Sequence, residues 1–207
     1  MPLDNIHTHS DRIWGLWKID EEENALSAEL FPYEPVPETL SNPLKRLEFL
    51  AGRVLIKRLL QNWNLAFDGL VKDESGKPFF VNHKMHLSLS HSYPYVAAIV
   101  DEKKPVGIDL EQPKEKLLRI AARVLNAKEF EDASHDITKH CIYWCAKETL
   151  IKIYGKRHLH LSKELAIEPF MLQKQGNLVG RIIADGTSKS FPLYYQVYDN
   201  FVVVLNT

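Results

Sequence analysis

Two cysteines among 207 residues, Cys141 and Cys145, are too few for a disulfide framework. They stand four apart in a stretch that reads as helix, which suits two buried thiols lining one face. No CxxC pair and no zinc-type spacing occurs. No uncharged apolar run approaches the roughly 18 residues of a membrane span. The N-terminal MPLDNIHTHSD has no basic stretch leading into an apolar one, so no signal peptide is read and a cytoplasmic address is expected. Charge of one sign is also missing. Lysine plus arginine number 26 and aspartate plus glutamate 27, a net of −1, which gives no global basic field for nucleic acid or an anionic membrane. No GxxxxGK[ST], GxGxxG or GxSxG occurs, so a P-loop, a dinucleotide fold and a hydrolase elbow have no motif support.

The residues present describe an ordinary globular chain. Apolar residues are 45% and charged residues 26%, which excludes disorder by composition. Residues 43–62 carry the clearest amphipathic pattern, with Leu47, Leu50, Val54, Leu55, Leu59 and Leu60 at helical spacing. Ser41 or Asn42 can cap this helix and Pro43 suits its first turn. Residues 12–19 read as a strand, and Gly76-Lys77-Pro78 punctuates a turn-rich segment. Residues 85–92, Tyr95–Val100 and Val106–Leu110 read as three strands of an antiparallel meander. Further on, helices are predicted over 114–125, 127–133 and 135–155. A second meander is predicted over Leu178–Ala184, Pro192–Tyr198 and Phe201–Leu205, while 162–170 is ambiguous. Both halves therefore read as helix first and strands later.

Four features carry chemistry. In GIDLE, residues 107–111, Asp109 and Glu111 lie two apart, so a strand puts both carboxylates on one face. Their repulsion is relieved by a cation, and oxygen donors suit magnesium better than zinc. Gly107 allows close backbone approach or an unusual backbone angle. In WCAKETLIKIYGK, residues 144–156, Trp144, Glu148 and Lys152 recur every four residues and share a helix face, with Lys147 at its edge. In LSLSHS, residues 87–92, Ser90, His91 and Ser92 offer phosphate donors at a strand end. Lys45, Arg46 and Arg53 line the polar side of the first long helix, joined by Lys77 in the GKP turn. Each feature alone also fits a surface turn, a salt-bridged helix or a solvated face.

Taken in order, these segments resemble the 4'-phosphopantetheinyl transferases, in the larger, two-half branch typified by Sfp. The resemblance runs over about residues 43–160: a basic helix with GR, then GKP, SLSHS, a strand, GIDLE, WCAKETLIK and a closing meander. It implies an α+β fold of two similar halves related by pseudo-twofold symmetry, 1–104 and 105–207, with the active site in the cleft between them and a monomeric chain. By motif, Asp109, Glu111 and Glu148 are implied as magnesium ligands. Lys152 is implied as a phosphate contact near the site of transfer, with Asp109, Glu148 and Lys152 catalytic. Coenzyme A contacts are implied at Lys45, Arg46, Arg53, Lys77, Ser90, His91, Lys147 and Lys152. One departure stands out. Some members carry arginine four residues before the helix glycine, where this chain has Glu48, so Lys45, Arg46 or Arg53 is left to meet the 3'-phosphate.

The implied reaction moves 4'-phosphopantetheine from coenzyme A to a serine of an apo acyl or peptidyl carrier protein. Magnesium is required and adenosine 3',5'-bisphosphate leaves. Proton removal by Glu148 and by a metal-bound water both fit the residues. Expected partners are coenzyme A and a carrier protein, with no nucleic acid and no membrane. Two rival readings use the same residues: a different magnesium phosphotransferase or nucleotidase, and a noncatalytic module that binds carrier proteins.

Overall fold

The computed structural model describes residues 3–155, 159–184 and 186–207, with side chains from residue 6 onward. Lys156, which closes the WCAKETLIKIYGK segment, lies outside them. The architecture is α+β, with helices laid on antiparallel sheets. The chain divides into two compact units, Met1–Val106 and Gly107–Thr207.

The first unit runs Leu3–His9 (β1), Arg12–Lys18 (β2), Glu23–Leu30 (α1), Pro43–Asn62 (α2), Leu70–Lys72 (β3), Pro78–Phe80 (β4), His86–Ser92 (β5) and Tyr95–Asp101 (β6). Its main sheet has the order β1-β2-β6-β5, and β3-β4 forms a separate pair. The predicted 43–62 helix forms over that span. The Asn42 side chain accepts from the N–H groups of Leu44 (3.0 Å) and Lys45 (3.2 Å), and Pro43 fills the first turn, where no hydrogen bond is lost. The apolar stripe of α2 is fully buried at Leu50, Val54, Leu55, Leu59 and Leu60. It packs on Ile13 and Trp17 of β2 and Val96, Ala98 and Val100 of β6. Leu87 and Leu89 of β5 join the same core, so the alternation of a strand carries His91 to the helix side as well.

The second unit runs Ile108–Glu111 (β7), Lys116–Val124 (α3), Ala127–Ala133 (α4), Ile137–Tyr154 (α5), Leu161–Glu164 (α6), Leu165–Ile167 (β8), Gln175–Ala184 (β9), Thr187–Val197 (β10) and Val202–Asn206 (β11). The five strands order as β7-β11-β10-β9-β8. Asp136 caps the start of α5 by accepting from Lys139 N–H at 2.9 Å. Gly155 ends it at φ +72°, a left-handed value that glycine takes without a Cβ clash. Three contacts fasten α5 to the sheet. Thr149 Oγ1 donates to Val204 O at 3.0 Å, Lys152 Nζ donates to Ile108 O at 2.8 Å, and Gly107 meets the helix backbone. A Cβ on Gly107 would stand 2.3 Å from Thr149 O, so close approach is what this glycine supplies.

Two expectations are corrected. The strand at 106–110 does not extend the β5-β6 pair into a meander. Asp101 accepts from the N–H groups of Lys103 (2.8 Å) and Lys104 (2.7 Å), a tight turn ends β6, and Pro105 has no N–H for the ladder. The chain then enters the second sheet, where β7 pairs with β11, Asp109 opposite Val204 and Glu111 opposite Val202. Neither half runs helix first, because β1 and β2 form a hairpin ahead of α1 and β7 precedes α3.

Candidate active site

The second unit brings Asp109, Glu148 and Lys152 together. Most of α5 from Cys141 to Ile153 is buried, and the partly open positions are Trp144, Glu148, Ile151 and Lys152. Trp144, Glu148 and Lys152, spaced by four, therefore form an open stripe on a mostly buried helix. Trp144 packs toward α3, beside Leu117, Ile120, Ala121 and His140. Two turns on, Lys152 Nζ donates to Asp109 Oδ1 at 2.8 Å. Asp109 is only 6% exposed. Burial raises the carboxyl of Glu148, the charge of Asp109 raises it further, and Lys152 offsets part of that, leaving it at about 7. A buried carboxylate beside the Asp109 charge forms an environment that a hard cation relieves.

Glu111, the third implied ligand, is engaged elsewhere. Its Oε2 accepts from Lys116 Nζ at 2.7 Å and its Oε1 from the N–H of Gln112 at 2.8 Å. Among the described residues no group of three or more His, Cys, Asp or Glu side chains is gathered closely enough to hold a metal ion. The donor chemistry of Asp109 and Glu148 fits magnesium, and the Lys116 ion pair is the contact Glu111 would exchange to join them. Both cysteines are fully buried beneath this strand. Cys141 Sγ faces Glu111 O at 3.4 Å, and burial, Cys141 and Asp109 push the Cys145 thiol up.

Lys147 is a correction. Its side chain is fully buried, and Nζ lies 2.9 Å from each of the carbonyl oxygens of Val124, Leu161 and Leu165 and 2.6 Å from Glu129 Oε2. Glu129 in turn accepts from the N–H of Asn126 (2.8 Å) and of Ile167 (2.7 Å). This polar hub ties α4, α5, α6 and β8 together and leaves the amine no approach to a phosphate.

The basic residues of the first unit divide in the same way. Arg53 is 8% exposed, with Nε on Glu34 Oε2 at 2.7 Å and its guanidinium 3.5 Å above the Phe49 ring, so it too leaves the set of phosphate contacts. Arg46 donates Nε and Nη2 to Glu23 at 2.8 and 2.5 Å and Nη1 to Leu40 O at 3.1 Å, pinning α1 to α2. Lys77 is half-buried in the β3–β4 turn. Burial lowers its amine, Asp73 partly offsets that, and its backbone N–H donates to Asp73 Oδ1 at 2.9 Å. Ser90 is buried on β5, while His91 is about half exposed at the strand end.

Sequence reasoning missed what Glu48 does. It is 3% exposed, yet it holds three donors: Lys45 Nζ at 2.5 Å and His91 Nδ1 at 3.1 Å on Oε2, and the N–H of Tyr93 at 2.9 Å on Oε1. Burial alone would raise this carboxyl, but the bonds from His91, Lys45 and Tyr93 outweigh it and bring it down to about 2. The available signal was the parity that places His91 with Leu87 and Leu89, facing α2.

Residues 105–203, which contain Asp109, Glu111, Glu148 and Lys152, match the model of the 4'-phosphopantetheinyl transferase superfamily. The chain is 31% identical over 115 residues to the 4'-phosphopantetheinyl transferase gsp of Aneurinibacillus migulanus, covering 52% of this chain and 48% of that protein. It is 34% identical over 116 residues to the transferase psf-1 of Bacillus pumilus, covering 52% and 49%. In these matches the chain spans about half the length of the curated relatives. The match to the transferase HetI of a Nostoc species is longer, 30% identical over 193 residues, 80% of this chain and 78% of that protein. On the strength of that extended match and of the family segment that holds the carboxylate–lysine cluster, the chain belongs to the 4'-phosphopantetheinyl transferase superfamily.

Proposed function

We propose that this chain is a magnesium-dependent 4'-phosphopantetheinyl transferase of the larger, two-half branch. It moves the phosphopantetheine arm of coenzyme A to a serine of an apo acyl or peptidyl carrier protein and releases adenosine 3',5'-bisphosphate. On this reading the two units are the two halves, and the chain works as a cytoplasmic monomer. The observation that carries the proposal is the pairing of Asp109 with Lys152 beside a Glu148 carboxyl held near 7, inside the segment matched by the family.

The residues have distinct roles in the reaction. Asp109 and Glu148, joined by Glu111 once it leaves Lys116, would hold the magnesium ion. When bound, magnesium supplies charge neutralisation and polarisation of the pyrophosphate oxygens. Glu148 or a water takes the proton of the carrier serine. The serine oxygen forms its bond to the phosphorus that bears pantetheine, and the bond from that phosphorus to the bridging oxygen of the pyrophosphate breaks. Lys152, on the open face of α5, stabilises the charge that collects on the departing bisphosphate. Lys45, His91, Arg46, Lys77 and Ser90 are the proposed contacts to the nucleotide phosphates, with Lys45 and His91 the most exposed of them and Ser90 buried.

Incubation with coenzyme A, magnesium and each of several apo carrier proteins tests the proposal. Intact mass should increase by one phosphopantetheine on the carrier serine. Absence of the adduct on every carrier, or release of inorganic phosphate in its place, would sink the transferase reading. Asp109→Ala should lose transfer by at least about 100-fold while its circular dichroism stays that of the native chain.

A further inference from the structure

Glu48 is an acidic residue on a helix whose other polar positions near its start are basic, and its carboxylate is nearly inaccessible to solvent. A buried carboxylate without partners is costly, and this one has three. The Tyr93 N–H fixes Oε1 to the turn that follows β5. On Oε2, Lys45 Nζ and His91 Nδ1 converge from opposite elements, one from the first turn of α2 and one from the end of β5. Both side chains are about half exposed, at 53% and 49%, although the carboxylate joining them is not. A carboxylate only accepts, so the proton of His91 must sit on Nδ1, and its Nε2 edge is turned away from Glu48. Gly52 lies beside Leu89 where α2 meets β5.

We propose that Glu48 is a positioning residue that gathers Lys45 and His91 into one phosphate-binding pair on the first unit. The inference rests on the coenzyme A reading above and adds to it a cause for the glutamate. One carboxylate holds both donors at a single point, so the half-exposed Lys45 and His91 side chains stand together where an anion can meet them. The ligand is a phosphate group of the nucleotide, either a 3'-phosphate monoester or the pyrophosphate.

The test uses the full-length chain and its Glu48→Gln variant, which keeps size and an oxygen for the Tyr93 N–H but removes the charge. Coenzyme A and dephospho-coenzyme A are titrated calorimetrically against both, and KM and kcat are measured with a carrier protein. The nitrogen resonances of His91 are followed by NMR. Glu48→Gln should weaken coenzyme A about tenfold, as loss of one organised charge-assisted contact would, and should raise KM by more than it lowers kcat. The His91 Nδ1 resonance should move away from its protonated position. In a Lys45→Ala/His91→Ala background the same substitution should add nothing, because its route to the ligand is gone. A loss seen with coenzyme A alone assigns the pair to the 3'-phosphate, and a loss with both ligands assigns it to the pyrophosphate. Unchanged affinity and an unchanged His91 resonance in a folded Glu48→Gln chain overturn the inference and leave the transferase reading standing. A wild-type chain that binds neither ligand overturns both. Should Glu48→Gln fail to fold, His91→Gln and Lys45→Gln, tested singly and together, take its place. Independent, additive losses would contradict a shared pair.

Discussion

Lys147 and Lys152 stand on the same helix, and their surroundings give them opposite roles. Lys147 is sealed among three carbonyls and Glu129, whereas Lys152 keeps a quarter of its side chain open while touching Asp109. Burial lowers the amine of Lys147, and Glu129 works to keep it charged. Replacing Lys147 by Met preserves bulk but leaves Glu129 charged in the core, so it should cost about 3–5 kcal/mol, read from the denaturant midpoint. Adding Glu129→Gln should recover part of that loss, since the stranded charge is then gone. Full additivity of the two losses would contradict the hub. The difference between the lysines was not legible in the sequence, because their partners at 124, 129, 161 and 165 meet only once the unit is folded. Asp109, Glu148 and Lys152 were legible, because strand and helix periods fix which residues of GIDLE and WCAKE share a face. Glu48 was not, because its role depends on how α2 registers against β5.

At the level of elements, local signals succeeded where pairing partners were near in sequence. Residues 43–62 carry their own cap, proline and apolar stripe, and α2 forms over that range. The short helix α4 likewise carries its capping box. The Asn126 side chain accepts from Glu129 N–H at 3.1 Å and Glu129 Oε2 accepts from Asn126 N–H at 2.8 Å. Strands were harder. β1 is polar and gains its identity from β2, and β7 takes its sheet from β11, nearly a hundred residues later. The join between β7 and α5 gives the sharpest prediction at this scale. In Gly107→Ala the new methyl would overlap Thr149 O and press on Ile153, so α5 must move away from β7. The expected cost is about 2–4 kcal/mol in thermal or chemical unfolding. Transfer should fall further than stability predicts, because the shift separates Lys152 and Glu148 from Asp109. Gly52→Ala is the control, since a Cβ there would meet Leu89 at an ordinary 3.5 Å. Equal losses in the two variants would refute a special role for the Gly107 contact.

For the molecule as a whole, the carboxylates set how stability answers to pH and to magnesium. Glu148 rises from an ordinary 4.5 to about 7 on folding. A group raised in this way favours the folded state fully below about 4.5, and that contribution is lost as pH climbs through about 7. The full shift corresponds to roughly 3 kcal/mol, and partial exposure of the side chain reduces the expected effect to about 2. Glu48, brought down to about 2, acts in the opposite sense, but its contribution is lost only as pH falls below 4.5. His7, lowered by burial and stacked on Trp14 at 4.1 Å, opposes Glu148 below 6.5. The informative quantity is therefore the difference between the wild-type chain and Glu148→Gln, in which His7 cancels. With a chelator present, the wild type should lose about 2 kcal/mol relative to the variant between pH 5 and pH 8. Millimolar magnesium at pH 8 should restore most of that difference in the wild type by binding the folded state alone, and should do less for Glu148→Gln. At pH 5, where the Glu148 carboxyl is protonated, the ion should have little effect on either. Parallel pH profiles for the two chains, or equal magnesium stabilisation of both, would show that the Asp109–Glu148 pair does not bear the charge assigned to it.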